Sequence, residues 1–438
     1  MPNQFQLRRS AFFNKMQVNS IAIFPASVET IRNNDCEYPF RQNSDFHYLT
    51  GFNEPDALLM LVKKSDSLIT ILFNRKKDKN AEIWHGIRLG QHGAITKLTM
   101  DDAYPIDEFE HQLETRLNGT EALYYPMFQS DSLDKSLKRV VNKLRAGKRK
   151  GISTPNCYFD CLPILHEMRV IKSDFEADLL RQAAEISAAG HVRAMQKCRV
   201  GMWEYQLEAE IKHEFALQGA PNVAYNSIVA GGNNACILHY TENTQQLKEG
   251  ELVLIDAGAE YQHYAGDITR TFPVNGKFTE HQAKLYQLVL DTQIFAINQI
   301  KPGIAMLDIN AKVVELLVDG LLELGLLKGS RETLIKEEAH KAFYMHGIGH
   351  YLGLDVHDAG NCGTLDNPRP LEAGMAVTIE PGLYVSFDAD VEDCWKGIGI
   401  RIEDDLLVTA TGVDVLSADV PKTIDEIEAL MADALQHG

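Results

Sequence analysis

Two stretches of this chain carry the same pattern. Gly250-Glu-Leu-Val-Leu-Ile-Asp256-Ala-Gly258-Ala-Glu-Tyr261 and Gly374-Met-Ala-Val-Thr-Ile-Glu380-Pro-Gly382-Leu-Tyr384 share a glycine, an apolar run, a carboxylate six positions later and a second glycine two further on. Each is followed by another β-type segment with its own acid, Asp267 in one case and Glu403 in the other. Apolar runs of this length read as buried strands. Two similar half-domains, each supplying a carboxylate pair from neighbouring strands, can face each other and close a site between them. The repeat therefore predicts a pseudo-twofold α+β unit.

The rest of the chain fits around that unit. At 438 residues the chain exceeds the size at which one core keeps growing, so two domains are expected. The N-terminal part alternates β-type runs (20–24, 57–62, 68–73, 122–125) with helical stretches at 106–117 and 131–144, an α/β pattern. Near Ser173 the pattern changes: Ser173-Asp-Phe-Glu176 is a capping box, and helical spacing of apolar residues continues to about Met195. We place the boundary at 171, giving an α/β domain at 1–171 and an α+β domain at 172–438. In the second domain a helix at 204–217 precedes strands at 227–230, 251–256 and 268–274. Helices at about 280–300 and 307–324 then precede β character at 375–379 and 398–408, so helices and strands alternate in two rounds.

Charge separates the two parts. Residues 1–168 hold 22 Lys and Arg against 20 Asp and Glu, whereas residues 169–438 hold 21 against 41. An acidic surface repels nucleic acid and suits cations, although solubility is its commonest cause. The basic run Lys138, Arg139, Lys143, Arg145, Lys148, Arg149 and Lys150 reads as a solvated helix face leading into a linker, not as a nucleic-acid contact. Seven cysteines without CxxC spacing read as free thiols in a reducing compartment. The N-terminus lacks an apolar signal region, and no run approaches the ~18 apolar residues of a membrane span. These features predict a soluble, cytoplasmic protein without nucleic-acid or membrane partners.

Five residues of metal-ligand type fall in the order Asp256, Asp267, His350, Glu380, Glu403. Four carboxylates and one imidazole form a hard, oxygen-rich donor set, and carboxylates bridge cations, so the set points to a pair of divalent metals and a two-metal hydrolase. Asp256 and Glu380 end apolar runs, where an unpaired buried charge is costly and a metal removes the penalty. His346, His350 and His357 cluster between Met345 and Asp358. The spacing of His346 and His350 matches a helical zinc motif, but Gly347, Gly349 and the missing glutamate argue for a glycine-rich loop entering a strand. One histidine would be the nitrogen ligand, and the others would sit nearby as proton donors or oxyanion stabilisers. His239, in Ile237-Leu-His239-Tyr-Thr-Glu-Asn243, reads by itself as a satisfied core histidine. No GxSxG elbow or catalytic-cysteine pattern occurs.

These motifs resemble the metal-dependent aminopeptidase P (Xaa-Pro aminopeptidase) family of the pita-bread fold. HGIGHYLGLDVHD (346–358) resembles the segment common to aminopeptidase P and prolidase, and ILHYTEN, LVLIDAG, YAGDITRTFPVNGKF, IEPGLY and GIRIEDD match in order. EYPFRQNSDFHYLTGFNEP (37–55) and LFNRKKDKNAEIWHGIRLG (72–90) extend the resemblance into the N-terminal domain and favour aminopeptidase P over prolidase. The resemblance implies that Asp256 chelates one metal, Asp267 and Glu403 bridge both, and His350 with Glu380 completes the second. It implies manganese ions that acidify a water to make the nucleophile, with Glu380 passing a proton to the leaving proline nitrogen. His239 and His357 would hold the scissile carbonyl and its oxyanion, His346 would lie near the substrate, and Tyr384 and Arg401 would line the site. Substrates would be peptides with proline second. The protein would be a homo-oligomer, dimer or tetramer, in which Asp35 and Trp84 of the N-terminal domain approach a neighbour's site. Prolidase is the nearest alternative activity. A non-catalytic peptide-binding relative would show lost ligands, and here all five positions are retained.

Overall fold

The computed structural model describes residues 3–437. It divides into two compact units between Met168 and Arg169.

The N-terminal unit is built on a mixed six-stranded sheet. Its strand order is Asp102–Pro105, Leu68–Asn74, Leu58–Lys63, Ser20–Pro25, Ala122–Tyr125, Cys157–Asp160. Alternate side chains project from one face, as the two-residue strand period requires: Ile21, Ile23, Met60, Val62, Ile71, Phe73 and Leu123 share a core with Phe109, Leu113, Leu117, Leu133, Leu137 and Val140. Those partners come from the helices Phe109–Leu117 and Asp131–Ala146. The helix expected over 106–117 starts with a 3-10 turn at Ile106–Glu108, directly after Pro105. Arg139 and Lys143 of the basic run form ion pairs with Glu110 and Glu114 on the neighbouring helix, as a solvated face would.

The second unit is the predicted α+β repeat. The helix Asp174–Lys197 begins at the expected capping box, with Glu176 Oε2 accepting from Ser173 N at 3.0 Å and Ser173 Oγ at 2.8 Å. In the first half, this helix and Glu204–Leu217 accompany the antiparallel strands Ile228–Gly231, Leu252–Asp256 and Thr269–Pro273. In the second half, helices Glu280–Gln299 and Met306–Glu323 accompany Ala376–Ile379, Asp404–Val408 and Val413–Val415. Register sets the acids differently in the two halves: Asp267 lies two residues ahead of the cross-strand partner of Asp256. Asp256 pairs with Thr269, and Ile379 pairs with Asp404, which sets Glu380 and Glu403 opposite each other one step beyond.

The halves meet edge to edge. Glu403 N donates to Thr269 O at 3.0 Å, and Asp267 N donates to Asp405 Oδ2 at 3.0 Å. Within the first half, the chain needs glycine at Gly258, where a Cβ would stand 1.6 Å from the Gly266 carbonyl oxygen. The β character expected over 398–408 divides in two. Ile398–Arg401 forms a hairpin with Gly382–Val385, whereas Asp404–Val408 joins the other sheet, and Glu403 sits at the break. The segment 386–396 is a turn region ending in the 3-10 turn Asp393–Trp395, with the buried Trp395 ring edge-on to His281 at 4.8 Å. Among the described residues no helix is long and apolar enough to cross a membrane, and all seven cysteines are free.

Candidate metal centre

Asp256, Asp267, His350, Glu380 and Glu403 all line one cavity of about 590 Å³ in the second unit, together with His239, His346, His357 and Arg401. Asp267, His350 and Glu403 each offer a ligand atom within 4.8 Å of the others'. His350 Nε2 lies 3.3 Å from Asp267 Oδ2 and 3.7 Å from Glu380 Oε1. The other ring nitrogen, Nδ1, donates to the Tyr351 carbonyl at 2.9 Å, which orients the ring and turns Nε2 toward the acids. The segment carrying His350 is a loop, as its glycines require, but it does not enter a strand. Tyr351 makes a single bridge to Val377. Gly349 has no room for a Cβ, which would sit 2.0 Å from the Thr378 carbonyl oxygen.

Several of these groups are tied by residues that sequence reasoning did not single out. Tyr225 Oη lies 2.5 Å from both Asp256 Oδ1 and Asp267 Oδ1, joining the two acids of the first half. Thr269 Oγ1 donates to Glu403 Oε2 at 2.8 Å and accepts from Arg401 Nε at 3.1 Å. The dense motif around Asp267 contains Thr269 and could have drawn attention to it; nothing in Val223-Ala-Tyr225-Asn marks Tyr225. Arg401 donates to Asp256 Oδ2 at 2.6 Å and to Tyr384 Oη at 3.0 Å. Tyr384 Oη in turn lies 2.8 Å from His346 Nε2. Tyr384 and Arg401 are thus buried behind His346 and Asp256, as the rear wall of the site.

His239 is not a core histidine. It is exposed and faces the cavity, because its loop has neither helix nor strand to turn the ring inward. His357 is also exposed, with its ring 4.1 Å from that of His350. The next residue, Asp358, has a buried carboxylate that accepts from Arg169 at 2.5 Å and from Lys172 at 2.7 Å, so a buried ion cluster anchors the His357 loop. Asp35 and Trp84 belong to the N-terminal unit, are exposed there, and do not line the cavity.

The electrostatics are those of an acid cluster short of positive charge. Burial raises the carboxyl of Asp267, and burial with the nearby charges of Asp267 and Glu380 raises Glu403 well above the carboxylate range. Burial raises Glu380 to about 7, against the pull of His350 and Arg401. For His350, burial opposes the charge, but the bond to Asp267 and the charge of Glu380 prevail and lift it to about 9. Burial and the Arg401 charge lower His346 to about 4, so it is neutral at physiological pH. Four carboxylates and one imidazole, crowded together with their charges only partly compensated by Arg401 and His350, suit hard divalent cations. The residues fit such an occupant.

The family assignment is independent of this geometry. The model of metallopeptidase family M24 matches residues 178–410. The chain belongs to metallopeptidase family M24. Ahead of that match, the model of the aminopeptidase P N-terminal domain covers residues 5–124 of this metallopeptidase. Xaa-Pro aminopeptidase of Escherichia coli (strain K12) is 50% identical over 432 residues, covering 98% of each chain. Xaa-Pro aminopeptidase of Haemophilus influenzae is 48% identical, covering 98% of this chain and 97% of its own length. Among solved structures, proline aminopeptidase P II from Yersinia pestis superposes with a TM-score of 0.96 at 53% identity, covering 98% of this chain and 99% of its own. An E. coli aminopeptidase P variant in complex with substrate superposes at 0.97 and 49% identity, covering 99% and 98%. The pita-bread architecture with its N-terminal domain is therefore shared along the whole chain.

A pH dependence follows from the raised groups. Glu380 and His350 hold protons in the metal-free folded chain that the unfolded chain would release from about pH 4.5 and 6.5 upward. Their contribution is full below those values and is lost as pH rises through about 7 and about 9 respectively. Metal-free stability should fall across this window. A divalent cation must displace the same protons, so its affinity should rise by about tenfold per pH unit for each proton released. Calorimetric titration at pH 6, 7 and 8 checks this, and a pH-independent affinity would contradict it.

Proposed function

We propose that this chain is a divalent-metal-dependent aminopeptidase that hydrolyses the N-terminal Xaa-Pro bond, releasing the first residue of peptides with proline second. The observation that carries the reading is the gathering of Asp256, Asp267, His350, Glu380 and Glu403 in one cavity of a chain that matches named Xaa-Pro aminopeptidases along its full length. Such bonds need a specialist, because proline's tertiary amide changes both the shape of the bond and its leaving group.

The five residues would hold two ions, manganese by the oxygen-rich donor set. When bound, the ions supply Lewis acidity and a water acidified to near-neutral pKa. The chain's own groups do the rest. Glu380, with a carboxyl raised to about 7, is poised to take up a proton and deliver it to the proline nitrogen. His239 and His357, exposed at the cavity, are free to donate to the scissile carbonyl and its oxyanion. His346 is neutral and is held by the Arg401 to Tyr384 relay, which orients its ring toward the substrate.

The N-terminal domain at 1–171 would serve assembly and capping in a homo-oligomer, with Asp35 and Trp84 approaching a neighbour's site; the 82% exposure of Trp84 supports that reading. Seven free cysteines support a cytoplasmic location. The deciding assay strips the protein with chelator, restores Mn2+, and follows alanine release from Ala-Pro-Xaa and from Ala-Pro. Metal-dependent cleavage of the tripeptide is expected. Cleavage of the dipeptide alone would make the enzyme a prolidase, and release from neither with metal bound would make it a binding protein.

A further inference from the structure

We propose that Glu204 is a positioning residue for the active site, acting through the loop that presents His239. The proposal rests on the preceding section only in taking His239 as a substrate-holding group. Among the described residues no hydrogen bond holds the His239 ring, so the backbone of its loop sets where the imidazole stands. That loop, between the strand Ile228–Gly231 and the strand starting at Leu252, contains one 3-10 turn, Gly232–Cys236, and one bridge, Gln246 to Trp203, with irregular chain on either side of His239. It needs an external anchor.

Glu204 provides it. This side chain is completely buried, and its two oxygens accept from four neutral donors. Oε1 receives Gly231 N at 2.8 Å and Asn234 Nδ2 at 3.0 Å, while Oε2 receives Tyr240 Oη at 2.8 Å and Gln245 N at 2.8 Å. One carboxylate thereby ties both ends and the middle of the loop, and its four acceptor sites are all used. It opens the helix Glu204–Leu217, whose N-terminal partial charge favours an anion there. Asn243, at φ +50°, adds a second clip: its Oδ1 accepts from Val229 N at 3.0 Å, and its Nδ2 donates to Ser227 O at 2.9 Å and Glu208 Oε2 at 3.0 Å. Tyr240, next to His239, packs in a small buried cluster with Ile228, Leu254 and Tyr384. Any shift in the Glu204 bonds is therefore delivered one residue from the imidazole.

Glu204→Gln keeps the volume but turns an NH2 group toward two donors, so one edge of the anchor lets go. A misplacement of about 1 Å costs on the order of 10²-fold in rate. Glu204→Gln should lower kcat for Ala-Pro-Xaa by about 10- to 100-fold in the metal-loaded protein, with a smaller change in KM. In a His239→Ala background the same change should cost less than about twofold, because the group it positions is gone. An equal loss in both backgrounds would overturn the proposal, since a merely structural role adds in full. Should Glu204→Gln fail to fold, Tyr240→Phe, which removes one of the four bonds, is carried through the same cycle. Nitrogen-edited NMR of the imidazoles gives a readout independent of turnover: in Tyr240→Phe the His239 signal should move while that of His357 stays, and an unmoved His239 signal would overturn the proposal. Wild-type activity of His239→Ala alone would refute the role assigned to His239, leaving the NMR shift to decide whether Glu204 places the ring.

Discussion

Asp267→Ala abolishes turnover and leaves the protein folded: that is the expected result, and both halves of it come from the same environment. Asp267 is 5% exposed, touches His350 Nε2 through one oxygen and Tyr225 through the other, and sits in the three-residue cluster whose ligand atoms converge. Partners that merely orient a ligand are worth about 10- to 100-fold when removed, so loss of a central ligand should cost on the order of 10³-fold or more in kcat/KM. Stability is another matter. Burial already disfavours the charge of Asp267, and Asp256 repels it, so deleting the carboxylate relieves strain as it removes bonds. The backbone bond from Asp267 N to Asp405 survives the substitution. The melting temperature of the metal-free variant should stay within about 4 °C of wild type, a difference near 1 kcal/mol. The metal response separates the two proteins. Mn2+ at 100 times Kd should stabilise the wild type by about 2.7 kcal/mol and the variant by far less. Wild-type-like activity, or an undiminished Mn2+ response, would refute the assignment of Asp267.

How far the sequence revealed this site depended on the kind of signal involved. Asp256 ends one buried strand and Glu380 follows another, each after a matching glycine, and that pattern survives in the structure as two antiparallel pairs, Leu252–Asp256 with Thr269–Pro273 and Ala376–Ile379 with Asp404–Val408. The helix starting at Ser173 was legible from a local capping box. Groups brought in by tertiary packing left no such trace. Tyr225 lies just before a strand with no periodicity of its own, yet it joins Asp256 to Asp267. Glu204 looks like one more acid at a helix start, and only the closed loop shows its four donors. The residues around His239 point to a core histidine and the structure exposes it, because burial of a lone histidine depends on what its loop packs against. Asp358 stands in the sequence only as the end of a histidine motif; its partners Arg169 and Lys172 lie far upstream, in a segment with no hint of the pairing.

Asp404→Ala should destabilise the catalytic unit more than any ligand substitution, because Asp404 neutralises charge beneath the site. Arg270 and Asp404 are both fully buried and lie 2.7 Å apart. Asp404 also accepts from Ser417 at 2.7 Å and from Gln293 and Lys422 at 2.6 Å each. Arg270 spends its remaining donors on main-chain carbonyls, among them that of Glu403 at 2.6 Å, so the pair also fixes the backbone of a proposed ligand. Burial alone would raise the Asp404 carboxyl, but the charges of Arg270 and Lys422 outweigh it and hold it well below the usual range. Its contribution is therefore present above the unfolded carboxylate value of about 4 and is lost as pH falls below it. Removing one partner leaves the other charged and buried, which costs about 3–5 kcal/mol. Denaturant unfolding should show that loss at pH 7 and a smaller one at pH 3. The paired change Arg270→Met with Asp404→Leu should cost less than either single change, because no uncompensated charge remains. A loss below about 1 kcal/mol for Asp404→Ala would place it among ordinary surface substitutions and would show that the segments around Thr269 and Glu403 are held together by their main-chain bonds alone.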